Sequence, residues 1–292
     1  MLAKINNHPR DNLIVFDEEP HIYTVLTDPE SKYTSVTTFI HQFFGHFDAD
    51  LIITKMMKSV QWPQSKYFGQ SPDEIKQLWK NNGLSASTAG TNMHKSIESF
   101  YNGNQTMEDF ANMPDLQHFI TFYTEYGSNL QPYRSEWMIF DEQLKLAGSI
   151  DFVTQNDDGS LDIYDWKRSK EIKKENPWQS GLYPINHIPD SNYWHYSIQL
   201  NLYKALLVKN YNKTVKDLYL VVLHPDNHQY ILIPVPDLST EINSLFEYRT
   251  QSLLQPSILT NSKDSNSKDS NSEDDGIVES KPTFHLATGC LL

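Results

Sequence analysis

Only one cysteine, Cys290, occurs in the 292 residues of this chain. A disulfide framework within the chain is thereby excluded, and so is any zinc or iron–sulfur centre built from its own thiolates. Any metal must be held by oxygen and imidazole. There is also no run of about 18 apolar residues, the length a helix needs to cross a bilayer. The opening "MLAKINNHPRDN" lacks the apolar segment of a secretory signal, and it is too acidic and too poor in arginine for a transit peptide. The expectation is an intracellular protein, cytoplasmic or nuclear, with no membrane partner. Positive charge is scarce as well. With 24 Lys and Arg against 37 Asp and Glu, the formal net charge is −13. A nucleic-acid partner would therefore need a local basic footprint, because phosphate neutralisation requires one.

What is present fits a globular chain long enough to bury a sizeable core, with 38% hydrophobic and 12% aromatic residues. Residues 13–40 alternate β-branched and aromatic residues around "TDPES", which predicts a hairpin running into a helix near Val36 to Phe44. The stretch "SPDEIKQLWKNNG" carries start and stop signals, with Ser71 as N-cap, Pro72 next and Gly83 as the stop. A second helix is predicted over "STAGTNMHKSIESFYNG" and a third from Asp115 to Tyr126. Strands follow at "SEWMIF", "LAGSIDFV" and "LDIYDWK", the last two joined by the turn "NDDG". A helix from Tyr193 to Asn210, strands at "KDLYLVVLHP" and "YILIPV", and a helix near Leu238 to Leu254 complete the series. The polar repeat "NSKDSNSKDSNSEDDG" has no apolar residue to bury and is predicted to be disordered. This order predicts an α/β (α+β) fold on one mixed sheet. It divides into an N-terminal hairpin and lead-in helix (1–47), a helical region (48–134), a core of sheet and helices (135–256) and an acidic tail (257–292).

The chemistry concentrates in "AGSIDFVTQNDDGSLDIYDWKRSK" (147–170). If Asp157, Asp158 and Gly159 form a three-residue loop, cross-strand partners have numbers summing to 316, so Asp151 faces Asp165 and Lys167 projects from the same face. A two-residue loop would shift the register by one. A solvated polar hairpin is the plain alternative, but both strands are otherwise apolar. Like charges side by side in a buried sheet are severely unfavourable unless a cation sits between them. Two carboxylates and an ammonium suit phosphodiester hydrolysis, with Mg²⁺ or Mn²⁺ activating water and a lysine positioning or deprotonating it. His94 and Glu98 lie four apart on one helix face, a further metal corner or an ordinary surface pair. Glu136 lies on the preceding strand, and Gln199 and Tyr203 one turn apart on the later helix. The run "KRSKEIKK" (167–174) supplies Arg168, Lys170, Lys173 and Lys174 as a local basic footprint or a solvated turn. Beyond it, "NPWQSGLYPINHIPDSNYWHY" interleaves aromatic and polar residues, either to stack on unpaired bases or to pack as a compact loop.

The succession "GTNMHKSIE", Glu136, "AGSID", "YDWK" and "QLNLY", spanning residues 90–203, resembles the PD-(D/E)XK nuclease superfamily. Within it the similarity is to the RecB-like branch of lambda-type and mitochondrial genome maintenance exonucleases, and "PHIYTV…YTSVTTFI" is similar to the lead-in of mitochondrial-type and viral members. The resemblance implies a restriction-endonuclease-like core and a metal-dependent DNA exonuclease acting on single strands or duplex ends in DNA repair or recombination. A nuclease acting on RNA, or a binding or scaffold protein that no longer cuts, remains open. Mg²⁺ or Mn²⁺ would be held by His94, Asp151, Asp165 and the Trp166 backbone carbonyl, with Glu136 auxiliary and Glu98 a further candidate. Lys167 would act on the water or scissile phosphate. Gln199 and Tyr203 would contact the nucleic-acid backbone and steady the site. This sequence departs from the commoner pattern in having Asp165 rather than Glu, and it lacks the cysteine quartet of the cluster-bearing members, so no iron–sulfur cluster is expected.

Overall fold

The computed structural model describes residues 1–254. The disordered segment expected over 257–292 lies outside the described residues. The chain begins with α1 (Leu2–Ile5) and a hairpin of β1 (Ile14–Asp17) and β2 (Ile22–Val25). It continues through β3 (Thr34–Ser35), α2 (Val36–His41), α3 (Ala49–Met57), α4 (Pro72–Tyr101), α5 (Met107–Phe110) and α6 (Gln117–Glu125). Then come β4 (Pro132–Asp141), β5 (Leu146–Gln155), β6 (Leu161–Lys167), α7 (Asn192–Asn210), β7 (Val215–Val222), β8 (Ile231–Pro234) and α8 (Ser239–Leu254). Among the described residues no helix is long and apolar enough to cross a membrane.

A six-stranded mixed sheet forms the centre, in the order β3-β5-β6-β7-β8 with β4 paired to β5. Helices cover both faces, the α/β arrangement expected. One face packs Ile150, Ile163 and Leu220 against Phe39 of α2, Leu202 and Leu206 of α7 and Leu245 of α8. The other packs Phe152, Tyr164 and Trp166 against Met93 and Ile97 of α4 and Phe119 and Phe122 of α6. Fully burying side chains of this size contributes roughly 1.5–3 kcal/mol each, which fixes α4 and α7 on opposite sides of β5 and β6.

Two local expectations are corrected. The N-terminal hairpin turns at residues 18–21, where His21 has φ +56°, and not at "TDPES". The latter does turn, with Asp28 accepting from the hydroxyls of Ser31 and Tyr33, but it hands the chain to β3, which pairs in parallel with β5. Likewise α4 does not stop at Gly83. It runs as one helix of 30 residues from a capping box, in which Ser71 and Glu74 satisfy each other's backbone N–H, to Gly103 at φ +76°. An internal glycine costs about 1 kcal/mol, and burial at both ends outweighs it. Ile75 packs with Ile53 and Tyr67 at one end, and Met93, Ile97 and Tyr101 enter the core at the other.

A buried carboxylate closes the β4–β5 connection. Asp141 is 1% exposed and accepts from the Leu144 N–H (2.7 Å) and the Asn210 amide (2.8 Å), with Lys209 Nζ at 2.7 Å. Burial alone would push its carboxyl up, but the bonds from Asn210, Lys209 and Leu144 hold it below the ordinary carboxylate value. Its stabilisation is therefore present above the unfolded value of about 4 and lost as the pH falls through the lower folded one. Asp141→Ala should cost about 2–4 kcal/mol in chemical denaturation at pH 7, and the gap between variant and parent should narrow on acidification.

Candidate active site

The β5–β6 hairpin has the register that sums to 316. Phe152 pairs with Tyr164, Val153 with Ile163 and Gln155 with Leu161. Asn156 and Ser160 close the loop with an N–H···O bond of 2.8 Å, leaving 157–159 at the tip with Gly159 at φ +82°, the left-handed position that a three-residue hairpin loop gives to glycine. The backbone ladder stops at the Phe152–Tyr164 pair, one residue short of Asp151 and Asp165. Asp151 Oδ2 accepts the Trp166 N–H at 2.9 Å, so a side chain takes the place of a main-chain acceptor. On the same edge β5 pairs with β3 only at Leu146 and Ala147. Residues 148–151 thus occupy a gap between two neighbouring strands, where side chains have room to meet.

The other edge of β5 is distorted at the same point. Glu136 falls between the pairs Ser135–Phe152 and Trp137–Ile150, directly opposite Asp151, and has φ +43°. For a residue with a long side chain this backbone costs of the order of 1–3 kcal/mol. It also breaks the alternation of faces: Ile150 and Val153 both lie under α7, whereas Phe152 lies under α4 and α6. Ser149 donates to Glu136 Oε2 at 2.9 Å and holds the carboxylate over the gap.

From the α4 side, His94 completes the cluster. Its Nε2 lies 2.9 Å from the Trp166 carbonyl oxygen, and its Nδ1 is 3.6 Å from both Glu136 Oε1 and Asp151 Oδ2. Both ring nitrogens face acceptors, which fits an imidazolium. Burial works against that charge, but Asp151 and Glu136 outweigh it and push His94 up to about 9. The Asp151 carboxyl is also pushed up, first by burial and then by Asp165 and Glu136, with His94 opposing. Lys167 Nζ lies 2.7 Å from Asp165 Oδ2 and 4.5 Å from the centre of the Tyr196 ring. Although burial opposes its charge, Asp165 and Asp151 raise the ammonium above its ordinary value.

These residues fit a hard divalent cation. One ligand atom each from His94, Glu136 and Asp151 lies within 4.8 Å of the others. Asp165, 1% exposed, adds a further carboxylate beside Asp151. The negative charge packed around Asp151 is what a cation would relieve, and a set of carboxylates, one imidazole and a carbonyl oxygen suits a hard divalent ion.

The remaining expected residues are distributed differently. Glu98 lies one turn beyond His94 and lines a cavity of about 820 Å³ between α1, α4 and β4, which Glu136 also borders; it is not among the three grouped ligands. Gln199 and Tyr203, expected to contact the nucleic-acid backbone and to steady the site, are 8% and 3% exposed. The Gln199 amide donates to Asp165 Oδ1 at 3.4 Å and to the Tyr203 hydroxyl at 3.3 Å. Tyr203 packs against Gly148, where an added Cβ would come within 2.8 Å of the ring. Both steady the hairpin from inside. Much of the basic run is matched by acids, with Arg168 on Asp115 (2.7 Å), Lys170 on Asp226 (2.5 Å) and Lys173 near Glu171 (3.4 Å), while Lys174 lies over the Tyr193 ring. Two further contributors carried no signal strong enough to single them out: Ser149, and Tyr23 of β2, whose hydroxyl is pushed up by burial and by the charges of Glu136 and Asp151, while Tyr196 was legible only as part of the aromatic run.

The family model of the PD-(D/E)XK nuclease superfamily matches residues 113–264, more than half of the chain. The chain belongs to the PD-(D/E)XK nuclease superfamily. The match includes Asp151, Asp165 and Lys167 and begins after α4, so His94 lies outside the matched residues. No curated protein matches at a significant level. Among solved structures, a Eubacterium rectale protein described as a candidate exonuclease aligns at 14% identity and TM-score 0.38, over 57% of this chain and 65% of its own. The protein SSO0001 aligns at 14% identity and TM-score 0.30, over 77% of each chain. The chain thus spans slightly under two thirds of the first of these proteins.

Proposed function

We propose that this protein is a divalent-metal-dependent DNA nuclease that degrades strands from an end. The observation that carries the reading is the cluster of His94, Glu136 and Asp151 from α4, β4 and β5, with the Trp166 carbonyl oxygen on His94 and the Asp165–Lys167 pair on the neighbouring strand β6. His94, Asp151, Asp165 and that carbonyl would hold the ion, with Glu136 auxiliary. A bound Mg²⁺ or Mn²⁺ would supply Lewis acidity, neutralise charge at the scissile phosphate and make water more acidic. The chain's own groups do the rest. Gln199 fixes the orientation of Asp165, the Trp166 N–H fixes Asp151, and Lys167 presents a fixed positive charge where phosphate charge develops. DNA as substrate and action from an end are supported by the resemblance to the RecB-like branch.

For strand binding we propose the exposed aromatic rings of the loop that follows β6. The loop of residues 175–191 leaves β6 shortly after Lys167 and is pinned by Gly181 N–H to Ile188 O (2.8 Å), Leu182 N–H to Phe43 O (2.7 Å) and Asp190 N–H to Gln179 O (3.0 Å). Ile185 and Ile188 are buried beneath it, yet Trp178 is 89% and Tyr183 75% exposed. Aromatic rings held outward on a fixed loop suit stacking on unpaired bases, which matters here because acids already engage much of the basic run.

The test is incubation with end-labelled single- and double-stranded DNA and RNA in Mg²⁺ or Mn²⁺, alongside a circular single strand. The expected result is short products released from one end of linear DNA, with the circle intact. A cut circle would overturn action from an end, cleavage of RNA alone would overturn the substrate, and binding without cleavage would make the protein a scaffold.

A further inference from the structure

On α7, Gln199 and Tyr203 belong to a longer stripe. Tyr196 precedes Gln199 by three residues, so all three lie on one face of the helix. Their contacts follow the sheet in the same order: Tyr196 on Lys167, Gln199 on Asp165 and Tyr203 on Gly148. The Lys167 ammonium lies 4.5 Å from the Tyr196 ring centre, within the reach of a cation–π contact, while its other side meets Asp165 Oδ2 at 2.7 Å. Tyr196 is half-buried against the core under α7 and is not one of the grouped ligands His94, Glu136 and Asp151.

That arrangement has a consequence for the loaded site. A carboxylate that ligates a cation gives up much of its attraction for a neighbouring ammonium, so Asp165 alone is a poor anchor for Lys167 once the ion is present. An aromatic face keeps its attraction, because the ring quadrupole is not consumed by the metal. We infer that Tyr196 is a positioning residue that holds Lys167 beside the scissile phosphate when Asp165 is engaged elsewhere. This rests on the nuclease reading above and extends the set of residues behind the chemistry to the first turns of α7.

Tyr196→Leu and Tyr196→Phe separate this role from plain packing, since leucine fills space without a π face and phenylalanine keeps the face without the hydroxyl. With saturating Mg²⁺, Tyr196→Leu should lower kcat by ~10- to 10²-fold, as expected for a slightly misplaced reacting group. KM and the affinity for a single-stranded oligonucleotide in Ca²⁺ should not change, and Tyr196→Phe should recover most of the rate. Independently of turnover, the ring-current shift of the Lys167 side-chain protons should survive in Tyr196→Phe and vanish in Tyr196→Leu. Parental kcat in Tyr196→Leu, or equal losses in both variants, would overturn the inference. So would a raised KM with unchanged kcat, which would make the ring a nucleic-acid contact. Parental cleavage by Lys167→Ala in the same assay would instead remove the nuclease reading itself.

Discussion

Asp165→Asn and Lys167→Ala are each expected to lower single-turnover cleavage by ~10²- to 10⁴-fold, the range for loss of a positioned catalytic group. Binding of an oligonucleotide in Ca²⁺ should not fall comparably, because neither side chain is the main source of affinity. The structure adds a stability signature. Asp165 and Lys167 form an ion pair with side chains 2% and 16% exposed, and removing one partner of such a pair leaves a buried charge uncompensated. Metal-free Asp165→Asn should therefore lose Tm as well as activity. Replacing both, Asp165→Asn with Lys167→Gln, removes both charges and should regain much of the Tm without regaining cleavage. Asp151→Asn should behave differently. Its carboxyl is pushed up in the folded state, so ionising it costs stability as the pH rises through the folded value, and an amide removes that cost. The same amide also withdraws the charge that holds the buried His94 imidazolium, so the metal-free Tm should fall less than in Asp165→Asn, and the variant should be inactive with metal. Parental cleavage by Asp165→Asn would mean that the hairpin carboxylates are not the site.

Removal of divalent metal is expected to abolish cleavage entirely. EDTA should stop it, and Mg²⁺ or Mn²⁺ should restore it. Ca²⁺ should bind without supporting turnover, since its longer, more flexible coordination does not activate water to the same degree. A thermodynamic readout accompanies the kinetic one. An ion that binds only the folded chain stabilises it by about 2.7 kcal/mol at a hundredfold excess over Kd, so Mn²⁺ should raise the Tm of the parent. Asp151→Asn, which lacks a ligand shared by the expected and the observed sets, should lose that rise. Full activity in EDTA would sink the mechanism, and a Tm rise undiminished in Asp151→Asn would place the ion elsewhere.

Much of this site was legible because a β-hairpin converts sequence spacing into geometry by simple rules. Side chains alternate with period two, and the loop around Gly159 pins the register, so the pairing of Phe152 with Tyr164 and Val153 with Ile163, on the sum 316, could be read from residue numbers alone. The chemistry of the ligands was legible for a similar reason: with Cys290 as the only thiol, oxygen and imidazole were the remaining choices. The turn residues of "TDPES" were equally visible, but a turn does not say which strands it joins. β3 pairs with β5 because that register places Val36 and Phe39 in the core, a gain that no local pattern carries. Gly83 reads as a stop for the same reason, since the burial that carries α4 through it lies at the two ends of the helix. Only the tertiary structure could pair Arg168 with Asp115 and Lys170 with Asp226, bring His94 to the Trp166 carbonyl, bend β4 at Glu136 and set Tyr196 over Lys167. Periodicity and residue chemistry are local properties of a chain. Which distant charges meet, and which backbone strain is tolerated, depends on the sum of packing over the whole core, and that sum exists only once the sheet and its two helical layers have closed.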